Sequence, residues 1–157
     1  MDLHLSNISQ IIQLAIAPVF LLSGVGTQLM VLTNRLARII DRSRALETLI
    51  QENGAEQLSD NEKIELDELY QRMHLINRSI TLSSSCALLI CLVIASLFIG
   101  DALDKKLDNL IAIFFVGGIV ALIGSFIYFL REIFVATKNI ERQREYGSKY
   151  LPKRPQE

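Results

Sequence analysis

The chain has 157 residues, enough for one domain, with 50% hydrophobic and 21% charged residues and 16 Lys+Arg set against 17 Asp+Glu. The charge lies in blocks, because residues 3–34, 79–100 and 109–130 hold no Asp, Glu, Lys or Arg. Uncharged runs of that length exclude an ordinary soluble domain and indicate a bilayer protein, and too little chain is left outside them for a separate substrate domain.

The first predicted element is a transmembrane helix over residues 11–33. About 20 apolar residues cross a hydrocarbon core of about 30 Å, and lipid leaves the backbone no partners but its own helix. A cleaved signal peptide is a poor fit. The leader carries Asp2 and no Lys or Arg, Pro18 follows the Ala15-Ile16-Ala17 box directly, and the uncharged run continues to Asn34. At about 100° per residue, Ser6, Gln10, Gln13, Ala17, Gly24, Gln28, Arg35 and Arg42 fall in one sector about 60° wide. An amide in a span needs hydrogen-bond partners, so this face points at protein or at water. Two readings stay open for Gln13, Gly24 and Gln28: a helix–helix interface, or the lining of a pore with Arg35 and Arg42 at its mouth. Pro18, mid-span, predicts a kink that serves packing or acts as a hinge.

Residues 35–78 read as two antiparallel helices rather than a loop. Leu29, Leu32, Leu36, Ile39, Ser43, Leu46 and Ile50 follow a 3-4 spacing, and so do Leu66, Leu69, Met73, Ile76, Ile80, Ser83 and Ala87. Gly54 suits a C-terminal cap, and Ser59-Asp60-Asn61-Glu62 has capping-box spacing, which puts a tip near residues 51–58. The prediction is a coiled-coil hairpin whose arms extend the first two spans by about 30 Å. It serves as packing alone, or as a platform for a protein partner or neighbouring copies.

Two further spans follow, at 79–100 and 109–130, joined by the turn 101–108. Ser79, Ser83, Ala87, Cys91 and Ala95 make a small-residue face on the second; Gly117, Ala121 and Ser125 make one on the third. Cys86 and Cys91 are expected to be small buried residues, too far apart around the helix to bridge. An amphipathic helix is predicted over 131–146, ended by Gly147, with a disordered tail at 148–157.

Lys and Arg near the span ends set the orientation. Arg35, Arg38, Arg42, Arg44, Arg72 and Arg78 flank the hairpin, Arg131, Lys138, Arg142 and Arg144 follow the third span, and the turn holds only Lys105 and Lys106. The hairpin and C-terminus are therefore expected in the cytoplasm and the N-terminus outside. Arg35, Arg38, Arg42 and Arg44 also form a cluster suited to anionic headgroups, although topology alone explains them. His4 and His74 are predicted on opposite sides of the membrane and share no metal site. No nucleophile–base pair, phosphate loop or metal-ligand spacing is present, so no cofactor, metal or nucleic-acid partner is expected.

The run Ile11-Ile12-Gln13-Leu14-Ala15-Ile16-Ala17-Pro18, followed by Thr33-Asn34-Arg35-Leu36-Ala37-Arg38-Ile39-Ile40-Asp41-Arg42, resembles a family of small bacterial membrane proteins known as domain of unknown function 2721. The likeness spans roughly residues 8–145 and is most specific in the Asn-Arg-Leu-x-Arg-x-x-Asp-Arg run. It implies a multi-pass membrane protein and brings no activity, substrate or site; the location expected for the chain is the bacterial inner membrane. The expectation is an all-α membrane protein, non-enzymatic and self-associating, that acts through protein or lipid contacts; the alternative is a homo-oligomeric channel lined by the first helix.

Overall fold

The computed structural model describes residues 2–53, 60–103 and 107–150, with side chains described over 9–52, 62–101, 103 and 107–137. They form three helices: α1 (Asp2–Asn53), α2 (Asp60–Ala102) and α3 (Asp108–Tyr150). The helices hold 52, 43 and 43 residues. At 1.5 Å per residue they run about 78, 65 and 65 Å, roughly twice the thickness of a hydrocarbon core or more. Each is long and apolar enough to cross a membrane. The predicted tip with Gly54 and Ser59, the lysines of the turn and the final tail from Leu151 lie outside the described residues. So do the side chains of His4, Ser6, Lys138, Arg142 and Arg144.

α3 continues through Gly147 to Tyr150, so the helix ends later than the sequence suggests. One glycine costs a helix about 1 kcal/mol, which does not stop it without the local contacts of a true cap. α1 likewise runs unbroken through Pro18, which is buried.

α2 is the middle element and packs against both α1 and α3. Both contacts are antiparallel. Arg42 meets Glu65 at one end of the α1–α2 pair, while Val25 packs with Cys86 and Ile90 at the other. Arg72 meets Glu132, Ser79 meets Ser125, and Ile90 lies against Gly118 along the α2–α3 pair.

The buried positions recur every seven residues. On α1 they include Pro18, Val25, Leu32, Ile39 and Leu46; on α3 they include Gly118, Ser125 and Glu132. α2 carries two such rows, Leu69, Ile76, Ser83, Ile90 and Ser79, Cys86, Val93, as a helix packed on two sides must. A heptad step drifts only about 20° per repeat, so each row stays on one side for several turns. Every position of the two 3-4 seams is buried or half-buried. Leu32, Ile39 and Leu46 share a cluster with Leu69 and Ile76, flanked by Leu36, Leu66, Met73, Ile80 and Phe129. Gly118 lets α2 come close, since a Cβ there would sit 3.1 Å from the Ile90 Cδ1.

Cys86 is buried and Cys91 is exposed, so only one of the two is the buried residue expected. Five residues turn the helix by about 140°, which leaves Cys91 on the outer side. The outer faces of the spans are apolar: Phe20, Ile113 and Val120 stand well exposed, as lipid-facing residues do.

Candidate functional site: a buried carboxylate between two arginines

Glu132 lies one residue past Arg131, where α3 leaves its uncharged run, and its side chain is fully buried. Isolated burial of a carboxylate costs several kcal/mol, so a buried Glu must be paired. Two helices supply partners. Arg72 of α2 donates from both Nε (3.0 Å) and Nη2 (2.9 Å) to Oε1. Arg35 of α1 sets its Nη2 2.7 Å from Oε2, an ion contact whose direction falls short of hydrogen-bond alignment. The Arg35 guanidinium also lies over the Phe129 ring, 5.4 Å from its centroid, which supports the cation from below. The triad carries a net single positive charge and joins all three helices at one level. Both carboxylate oxygens face guanidinium groups, so the arrangement acts as a fastener and presents no free oxygen to a substrate.

Two turns further into the uncharged run of α3 lies a second polar junction. Ser79, Ser83 and Ser125 are buried. Ser79 Oγ donates to the Ser125 carbonyl (2.8 Å) and Ser125 Oγ donates to the Ser79 carbonyl (2.9 Å), a reciprocal pair between α2 and α3. Ser125 Oγ then accepts from Ser83 Oγ (2.7 Å) and from Gln28 Nε2 of α1 (3.1 Å). In this set of proton positions each of the three hydroxyls donates one hydrogen bond.

Toward the far ends of α1 and α2, Arg42 Nε pairs with Glu65 Oε1 at 2.7 Å and the Tyr70 hydroxyl donates to Glu47 Oε1 at 2.6 Å. The Glu65 carboxylate raises the Arg42 guanidinium above its usual range, and the bond to Glu47 raises the Tyr70 phenol in the same way.

Of the residues singled out in the sequence, Gln28 and Arg35 are therefore drawn inward to α3. Gln13 and Gly24 stay exposed on α1, and a Cβ at Gly24 would meet nothing within 4 Å. Arg38 and Arg44 are exposed, so the four arginines do not form one site. Sequence reasoning missed Glu132 altogether, took Arg72 as a topology signal, and saw Ser125 as a small residue rather than a hub. A signal was available: Gly118, Ser125 and Glu132 stand seven apart, and Glu132 lies among Phe129, Leu130, Ile133 and Phe134. Among the described residues no group of three His, Cys, Asp or Glu is placed to hold a metal ion.

Neither a curated protein nor a solved structure matches the chain. A family model described as "Protein of unknown function (DUF2721)" matches residues 15–142, a stretch that contains Gln28, Arg35, Arg72, Ser125 and Glu132. On that match over most of its length, the chain belongs to the DUF2721 family of uncharacterised proteins.

Proposed function

We propose that this is a non-enzymatic, self-associating protein of the bacterial inner membrane, whose α1 and α2 continue into the cytoplasm as a coiled-coil hairpin that docks partners. The carrying observation is the exposed polar face on the outer half of α1. Gln10, Gln13 and Gly24 lie on it among exposed Ile12, Leu14, Ile16 and Phe20. Glutamine amides facing hydrocarbon lack hydrogen bonds, and a second copy supplies them where lipid does not. Small Gly24 lets that copy approach. Interface is favoured over a pore because Gln28 and Arg35, which would continue the stripe to the cytoplasmic mouth, are engaged by Ser125 and Glu132.

The test uses single cysteines, Gln13→Cys and Gly24→Cys, in a background lacking Cys86 and Cys91. An interface predicts shielding from membrane-impermeant thiol reagents and disulfide cross-links between copies. Reaction with impermeant reagents at both positions would favour the channel. Reaction with lipid-soluble reagents alone, without cross-links, would mean that the stripe faces lipid and would sink both readings.

A further inference from the structure

Beyond Gly24 the exposed face of α1 continues toward the hairpin. Thr27, Val31, Asn34, Arg38 and Asp41 follow at alternating steps of three and four residues, and all are exposed. Such spacing keeps a row on one side of a helix for several turns. At about 100° per residue, Arg38 and Asp41 lie about 160° around α1 from Leu36 and Ile39, which face α2. The row therefore points away from the rest of the molecule. Arg38 and Asp41 carry opposite charges, yet neither forms an ion pair or a hydrogen bond among the described residues. The Asn34 amide, at the end of the uncharged run, is likewise without a hydrogen bond among them.

We propose that a second copy of the chain docks on this row, α1 against α1 about a two-fold axis, with Arg38 of each copy paired to Asp41 of the other. This rests on the reading of α1 as a self-association face. Copies inserted alike in one membrane run parallel, so a residue beside the axis meets its own counterpart. The row is self-complementary in that arrangement. An asparagine amide holds both donors and an acceptor, so Asn34 pairs with Asn34 of the partner. A single Asn in such a row fixes the register and the number of strands. Arg38 alone would meet its own charge across the axis. Asp41 removes that conflict, because it lies one turn on, about 4.5 Å along the axis and within reach of an arginine side chain. Two reciprocal pairs then surround the axis with alternating signs and no net charge. A partner of one sign would leave either Arg38 or Asp41 unmatched, and an anionic headgroup at Arg38 would meet Asp41 beside it. Inside the span, Gly24 and Thr27 let the two helices approach closely.

The test uses full-length chains carrying Val31→Cys, a position on the row that is 44% exposed, in a background lacking Cys86 and Cys91. Arg38→Asp makes both row charges acidic, and Asp41→Arg makes both basic. The two variants carry different affinity tags, and disulfide formation between copies is read in membranes on non-reducing gels. The chain with its native charges should cross-link. Each charge variant alone should cross-link about fivefold less, since both pairs become repulsions. Expressed together, the two should cross-link with each other at the native level, because acid again meets base. Arg38→Glu and Asp41→Lys replace them if either loses its helical circular dichroism. No preference for the mixed pair would mean that Arg38 and Asp41 act within one chain, and would overturn the proposal. Native-level cross-linking by each variant alone would leave the charges to lipid or solvent and overturn it too. Absence of cross-links at Val31→Cys, with Gln13→Cys still cross-linking, would remove the two-fold row and leave self-association standing. Absence at both positions would overturn both.

Discussion

At the scale of single residues, exposure decides which ion pairs matter. Arg42 and Glu65 meet at 2.7 Å, but their side chains are 55% and 24% exposed, so water screens them. Such pairs contribute about 1 kcal/mol or less. Glu132 is fully buried, and removal of one partner from a buried pair costs about 3–5 kcal/mol. Arg72→Gln should therefore destabilise the protein by roughly 3 kcal/mol, and Arg42→Gln by about 1 kcal/mol or less, in denaturant titrations in detergent. Equal effects would show that the triad is no more than a surface contact. Tyr70 supplies a pH-dependent case. Its bond to the Glu47 carboxylate favours the protonated phenol, so the folded value lies above the unfolded one of about 10. The bond's contribution is complete below that unfolded value and fades as pH rises through the raised folded one. A difference absorbance titration against Tyr70→Phe should place the Tyr70 transition above that of a free tyrosine, and Glu47→Gln should bring it down. No downward movement would remove Glu47 as the cause.

At the scale of elements, the contact between α1 and α2 is apolar along its length, unlike the contact between α2 and α3. Far from the spans it is an apolar seam through Leu46 and Leu69, 3% and 6% exposed. Inside the spans it stays apolar, through Val25 against Cys86 and Ile90 with Leu22 and Leu29 beside them, while the hydroxyls Ser79 and Ser83 go to Ser125 in the α2–α3 contact, where close packing and hydrogen bonds hold the helices. Leu46→Asp or Leu69→Asp buries a charge in the seam and should cost several kcal/mol. The readout is the rate of disulfide formation between Arg42→Cys and Glu65→Cys, whose parent side chains touch, in a background lacking Cys86 and Cys91. Either aspartate should slow it sharply; unchanged rates would mean that the seam does not hold the helices together.

At the scale of the whole molecule, α2 and α3 meet along their shared length while α1 reaches α3 through Gln28 and Arg35. The arginine-rich ends of the three spans thus lie on one side. Their positive charge predicts that reporter fusions near Gln57 and after Tyr150 read cytoplasmic, and that a fusion in the 101–108 turn reads external. An external reading at Gln57 would reverse the orientation.

Periodicity and charge, both local in the chain, determined the three spans and the buried sides of α1 and α2. The seam positions from Leu29 to Ile50 and from Leu66 to Ala87 are legible because a helix repeats its faces at a fixed step whatever it packs against. The uncharged runs are legible because each is long enough to span a hydrocarbon core and free of the charges it would reject. Family membership was legible too, in the run from Thr33 to Arg42. Only the tertiary structure decided where the polar residues of these faces end. Gln13 and Gln28 share a sector of α1, yet Gln13 faces outward while Gln28 meets Ser125, because α3 lies near one part of α1 and not the other. Arg35, Arg72 and Glu132 are far apart in the chain, and no local rule pairs them. A lone Glu after a span reads as a headgroup residue until two neighbouring helices exclude water from it, and the packing that does so involves residues a hundred positions away.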